Sequence, residues 1–167
     1  MPVSRTPALR RAVTRRWVLA APLAVAALAA AGCGGSSTSA PSSSSSGSAA
    51  AVIKTARTSL GRVLTDGKGI TVYLFEKDTG TTSTCYGPCA KAWPPVLTLS
   101  KPVTTGGARS SLVGTTKRTS GKLQVTYAGH PLYYFSASTK PGQVNGQGIN
   151  GFGAHWDAVR PTGAQAG

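Results

Sequence analysis

Three cysteines, two histidines and four acids make up most of the chain's equipment for reactive chemistry, and their spacing limits what each can do. Cys85 and Cys89 enclose Tyr86-Gly87-Pro88, a turn-forming triplet. In an exported domain two cysteines this close are expected to form a disulfide. Closing so small a loop contributes about 2 kcal/mol in the chain-entropy account. The alternative for the same pair is redox or copper handling, by thiol–disulfide exchange or by two soft thiolates and a histidine around copper(I). A c-type haem requires C-x-x-C-H, which the three-residue spacing and Ala90 do not supply. Zinc needs four ligands, and only His130 and His155 remain to complete a set. His130 falls in an expected turn between Gly129 and Pro131, with its ring in solvent, and His155 precedes Trp156 on an expected strand. Asp78 is expected to end a strand and accept backbone N–H groups near Gly80. With Asp66, Glu76, Asp78 and Asp157 the only acids, acid–base chemistry is poorly equipped. There is no G-x-S-x-G elbow or P-loop, and Gly146-Gln147-Gly148-Ile149-Asn150-Gly151 lacks a βαβ setting. The expectation is therefore a protein without catalytic residues, cofactor or metal.

Cys33 is set in a different context. Arg5, Arg10, Arg11, Arg15 and Arg16 form a positive segment, followed by an apolar run from Trp17 to Ala31. That run is too short to cross ~30 Å of hydrocarbon and has the order of a secretory signal, residues 1–32. Ala30-Ala31-Gly32-Cys33 resembles a bacterial lipobox, with Ala30 in place of the usual leucine. The resemblance implies that the Cys33 thiol takes a diacylglycerol and that its amine becomes the new N-terminus. Thr14-Arg15-Arg16-Trp17-Val18-Leu19 also resembles a twin-arginine signal, so export by the Sec or the twin-arginine route is expected.

The elements that must carry these residues follow from composition. Residues 34–51 are Gly, Ser, Thr, Ala and one Pro, without charge. Together with the lipidated Cys33 they form a flexible linker, residues 33–51, whose eighteen-residue tract reaches roughly 23 Å. The lipid anchor would hold the protein at the extracytoplasmic face of a bacterial cell membrane without spanning it. A single domain is expected over 52–163, followed by a short tail, 164–167. The formal charge of +14 falls to +9 when the five signal arginines leave, with thirteen basic and four acidic side chains remaining. Those bases are scattered, with no block of like charge and no nucleic-acid motif. A basic surface suits anionic envelope polymers, lipid head groups or a partner protein, and nucleic acid is not expected as a partner.

The domain reads as all-β, with short alternating apolar runs broken by Gly, Asn, Asp and Pro. Ile70–Phe75 is rich in β-branched and aromatic residues, and Gly61–Asp66 is its expected hairpin partner across Gly67-Lys68-Gly69. Alternation sends Tyr73 and Phe75 to one face and Leu74 to the other. The pattern recurs: Leu123–Tyr127, a turn at Ala128-Gly129-His130, then Pro131–Phe135. Tyr73-x-Phe75 and Tyr133-x-Phe135 are offset by 60, and Trp93 and Trp156 by 63. The expected architecture is a small antiparallel domain of two pseudo-symmetric repeats, about 52–97 and about 112–161, neither able to bury its face alone. Trp93 and Trp156 are the expected large core side chains.

Tyr73-Leu74-Phe75-Glu76-Lys77-Asp78 fits Y-x-[FWY]-x-x-D, the signature of a family of bacterial lipoproteins described as a secreted repeat of unknown function. Leu64-Thr65-Asp66, Cys85-x-x-x-Cys89-Ala90-Lys91-Ala92-Trp93-Pro94-Pro95 and Thr126–Tyr133 resemble that family too. The resemblance marks Tyr73, Phe75, Asp78, Tyr133 and Phe135 as motif positions. The second copy departs from it, with Ser138 where the signature has aspartate. The family implies location and fold, and carries no activity to transfer. The functional expectation is a non-enzymatic, lipid-anchored lipoprotein that binds an envelope component or a partner protein.

Overall fold

The structure, a computed structural model, describes residues 50–167; Cys33, the signal and most of the linker lie outside the described residues. In chain order the elements are β1 (Val52–Thr58), β2 (Gly61–Asp66), β3 (Tyr73–Phe75), α1 (Pro88–Ala92), β4 (Leu97–Thr98), β5 (Val103–Thr104), β6 (Val113–Lys117), β7 (Leu123–Tyr127), β8 (His130–Pro131), β9 (Ile149–Gly151) and β10 (Ala154–Ala158). They form three small sheets, β2-β1-β5, β3-β10-β9 and β4-β7-β6, with β8 paired to β7. All strand pairs are antiparallel except β1 with β5. The fold is all-β, and α1 is one short helix, started by Pro88.

Both repeats open with the same hairpin. β1 pairs with β2, and β6 with β7. This assignment differs from the expected pairing of Gly61–Asp66 with Ile70–Phe75, which survives as a bridge between Thr65 and Thr71, flanked by bonds from Val72 N–H to Leu64 O and from Asp66 N–H to Ile70 O. The turn between them is held by Asp66, whose Oδ1 accepts the N–H groups of Lys68 and Ile70, both at 2.9 Å. In the second copy the turn is the two residues Ala128 and Gly129, at φ of 48° and 86°, the left-handed pair that a two-residue hairpin demands. His130 is therefore on β8, in register with Tyr127, half-buried and outside the turn.

From there the copies exchange strands. Tyr73 N–H donates to Tyr133 O at 2.8 Å, and Tyr133 N–H returns a bond to Tyr73 O at 2.9 Å. On either side of this reciprocal pair the contacts run in matched twos. β3 of the first copy pairs with β10 of the second, Phe75 opposite Trp156 and Tyr73 opposite Ala158. Tyr133 in turn bridges Pro95, and Tyr134 N–H donates to Pro94 O. Leu64 N–H donates to Val159 O at 2.7 Å, and Val125 N–H to Val96 O at 2.8 Å. The segment after each tryptophan thus completes the other repeat's sheet.

Two buried clusters result. Tyr73 and Phe75 enter one with Trp93, Tyr133, Trp156 and the two cysteines; Leu74 enters the other with Ile53, Leu64, Val96, Val125 and Leu132. The alternation expected from β3 is seen. Residues 164–167, expected as a tail, instead close the fold: Ala166 is fully buried and its N–H donates to Ala158 O at 2.7 Å. A small apolar side chain pairing with the end of β10 had no periodic pattern to announce it. At the other end Ala51 is already fixed, its N–H donating to Thr98 Oγ1 at 3.0 Å.

Candidate functional site

The motif residues converge on one place. Four rings stack in the order Phe75, Trp156, Trp93, Phe135, with centroid spacings of 4.0, 4.0 and 4.4 Å. Each tryptophan receives a tyrosine edge-on, Tyr73 against Trp93 at 5.5 Å and Tyr133 against Trp156 at 5.2 Å. Offset stacks and T-shaped pairs suit the ring quadrupole and add about 0.5–1.5 kcal/mol each beyond area burial. The ladder mirrors itself through its centre, one Phe, Trp and Tyr from each copy. Both tryptophans are buried, as expected, at 1% and 0% exposure.

The aspartate of the motif works across the copies. The Tyr133 hydroxyl donates to Asp78 Oδ2, while Asp78 Oδ1 accepts from Thr84 N–H at 2.7 Å and from the Thr84 hydroxyl at 2.6 Å. The expected backbone cap is real, with Thr84 in the place of the segment near Gly80. The equivalent contact in the other direction is Tyr73 Oη to Ser138 Oγ at 3.2 Å, supplemented by Gly146 N–H donating to Tyr73 Oη at 3.2 Å. Y-x-F-x-x-D is thus a latch in which the Tyr of one copy meets the Asp, or Ser, of the other. Burial raises the pKa of both tyrosines, since phenolate is poorly solvated there; the Asp78 carboxylate raises that of Tyr133 further.

Beside the latch, Cys85 and Cys89 are joined as a disulfide, Cα atoms 5.3 Å apart, with exposures of 0% and 7%. It clips the turn ahead of α1 and so delivers Trp93, which follows Ala92 directly. Arg118 holds the other side. Its guanidinium donates to Ser83 Oγ at 2.9 Å, to Gln124 Oε1 and to Cys85 O at 2.6 Å, and lies 4.4 Å from the Tyr86 ring centroid. Ser83 Oγ is also 2.7 Å from Tyr133 Oη, so the arginine and Asp78 share one buried network. Arg118, Ser83 and Gln124 had no signal in the sequence, where Arg118 is one of eighteen basic residues and belongs to no motif. A clue of a kind lay in the glycine-rich loop. A Cβ at Gly146 would sit 2.8 Å from Trp93, so the loop reaches the ladder because it carries no side chain there.

The chemistry of this arrangement is structural. The tyrosine hydroxyls, Asp78 and Arg118 satisfy one another inside the protein. The copper alternative needs free thiolates, and both sulfurs are taken up in the disulfide. Among the described residues no three His, Cys, Asp or Glu side chains are grouped to hold a metal ion. His155 is exposed on β10, and His130 is half-buried on β8.

The family described as a secreted repeat of unknown function matches the chain twice, over residues 54–97 and 114–160. No curated protein and no solved structure matches it. The two matched stretches together cover more than half of the chain and coincide with the two exchanged copies of the fold. The chain is a member of the family of secreted repeats of unknown function, and carries that repeat in duplicate.

Proposed function

We propose that this is an extracytoplasmic lipoprotein, anchored through diacylglycerol on Cys33, whose β domain binds an envelope component or partner protein and catalyses no reaction. Support for the anchor comes from the basic segment, the short apolar run and the small residues ahead of Cys33. The uncharged tract 34–51 then serves as a flexible tether between the anchor and the domain. Membership of a secreted family agrees with location outside the cytoplasm. Among the described residues no helix is long and apolar enough to cross a membrane.

The observation that carries the binding reading is the inward use of the motif. Tyr73, Phe75, Asp78 and Tyr133 are 0–1% exposed, and their polar atoms are spent on one another or on the backbone. Recognition therefore falls to the outer surface. Cys33→Ser tests the anchor: wild type is expected in the membrane fraction with a diacylglyceryl N-terminal peptide, and the variant in the soluble fraction or unprocessed. A wild-type chain in culture medium with an unmodified N-terminus would overturn the reading.

A further inference from the structure

Most of the large apolar side chains that the domain leaves exposed gather on one face. Val52, Leu97, Leu99 and Val103 are 36, 41, 74 and 48% exposed. Hydrogen bonds place them together. Val52 is in register with Val103, Val103 N–H donates to Ala51 O at 2.8 Å, and Ala51 N–H donates to Thr98 Oγ1, beside Leu97 and Leu99. Leu97 separates two shallow hollows, one edged by Val52 and Lys68, the other by Leu99 and Lys122. Lys101 lies on the same connection, between Leu99 and Val103. All three lysines are exposed. The nearby acid, Asp66, is occupied by two backbone N–H groups and the Tyr134 hydroxyl.

An apolar centre with a cationic rim fits a surface that is itself apolar beneath and anionic above. The position of the patch in the chain points the same way. The tract from Cys33 joins the domain at Ala50–Val52, within this face, so the tether can bring this face to the bilayer without wrapping around the domain. A short flexible tether also raises the effective concentration of the attached surface.

We propose that this face docks on the anionic outer leaflet, Leu97, Leu99, Val103 and Val52 seating among the head groups and Lys68, Lys101 and Lys122 meeting their phosphates. The proposal rests on the extracytoplasmic reading above and names the envelope component it left open. Lysines near an anionic surface and apolar side chains at head-group depth supply such docking.

The test uses the full chain in lipid nanodiscs of phosphatidylcholine alone or mixed with phosphatidylglycerol, read by amide hydrogen exchange. On the anionic discs the peptides covering 97–104 should exchange at least about fivefold slower than on the neutral ones, in line with the contribution of a single lysine at such a surface. The turn at Phe152, on the separate β3-β10-β9 sheet, should be unchanged. Lys68→Glu/Lys101→Glu/Lys122→Glu should remove the difference, and Leu99→Ser should reduce it. Equal exchange on both discs overturns the proposal. So does equal protection in detergent that grows with protein concentration, because the cover would then be a second copy of the chain. A chain that does not co-purify with discs refutes the anchor; docking is then read by adding it to the same discs.

Discussion

The two copies reach the same aromatic ladder by different chemistry. The first brings in Trp93 on a five-residue helix held by a disulfide, and closes its latch with the Asp78 carboxylate. The second brings in Trp156 on a regular strand, braces the ladder with a loop that bares its backbone at Gly146, and closes its latch with the Ser138 hydroxyl. The first relies on a covalent bond and a charge, the second on pairing and close approach. In both the tyrosine of the opposite copy receives the latch, which explains why the motif spaces its Tyr and its acid as it does. In the second copy Ser138 Oγ takes the place of the acid as partner of the Tyr73 hydroxyl, and Gly146 N–H donates to the same tyrosine oxygen.

The comparison is broken most severely at its centre. Trp93→Ala and Trp156→Ala should each lower stability by about 3–5 kcal/mol, the range for removing a large buried aromatic. Because the two rings stack at 4.0 Å, the double variant should lose less than the sum, by about 0.5–1.5 kcal/mol. Urea midpoints of the three proteins measure this; small shifts would put the tryptophans outside the core.

The charged latch comes next. Asp78→Ala removes the charged acceptor of the Tyr133 hydroxyl, which keeps only Ser83 Oγ, and leaves Thr84 N–H without its acceptor; it should cost about 2–3 kcal/mol. The same pair sharpens the comparison through pH. The folded protein holds the Tyr133 pKa above its ordinary 10.0, so the unfolded chain loses its proton first as pH rises. The part of the stability linked to the Tyr133 phenol is therefore fully present below pH 10.0 and is lost as pH rises above it. Asp78→Asn, which removes the carboxylate that helps raise that pKa, should shrink the alkaline fall; urea midpoints across alkaline pH would show it.

Opening the disulfide, by Cys85→Ala/Cys89→Ala, should cost about 2 kcal/mol, the value for so short a loop. Since only the first copy delivers its tryptophan this way, hydrogen exchange should rise around 85–93 more than around 149–156. A uniform rise would mean that the clip supports both copies alike. The smallest effect is expected at Ser138→Ala, about 1 kcal/mol, because the bond lost joins two neutral hydroxyls and Tyr73 Oη still accepts from Gly146 N–H. A loss equal to that of Asp78→Ala would make the two latches equivalent.

Features written in short spacings were open to reading. Alternation at Tyr73, Leu74 and Phe75, the close cysteines, and the offsets of 60 and 63 each reflect one local geometry repeated. Strand exchange between the copies was not, since no periodicity encodes which of two like edges a strand selects. Arg118 was hidden for the same reason: its partners, Ser83 and Cys85, are more than thirty residues away. The expected turn at Ala128-Gly129-His130 is one residue longer than the turn that forms, because strand pairing with Tyr127 claims His130 for β8.

The bond from Leu64 N–H to Val159 O sets a timetable for the chain's own synthesis. The amino-terminal repeat, though made first, can complete its own β2-β1-β5 sheet but lacks the partner of β3 until β10 has been made. It waits with the edge of β3 open and Phe75 without the tryptophan that stacks on it. Nearly a hundred residues separate Leu64 from Val159, so the aromatic ladder closes only after the local hairpins of both copies have been made.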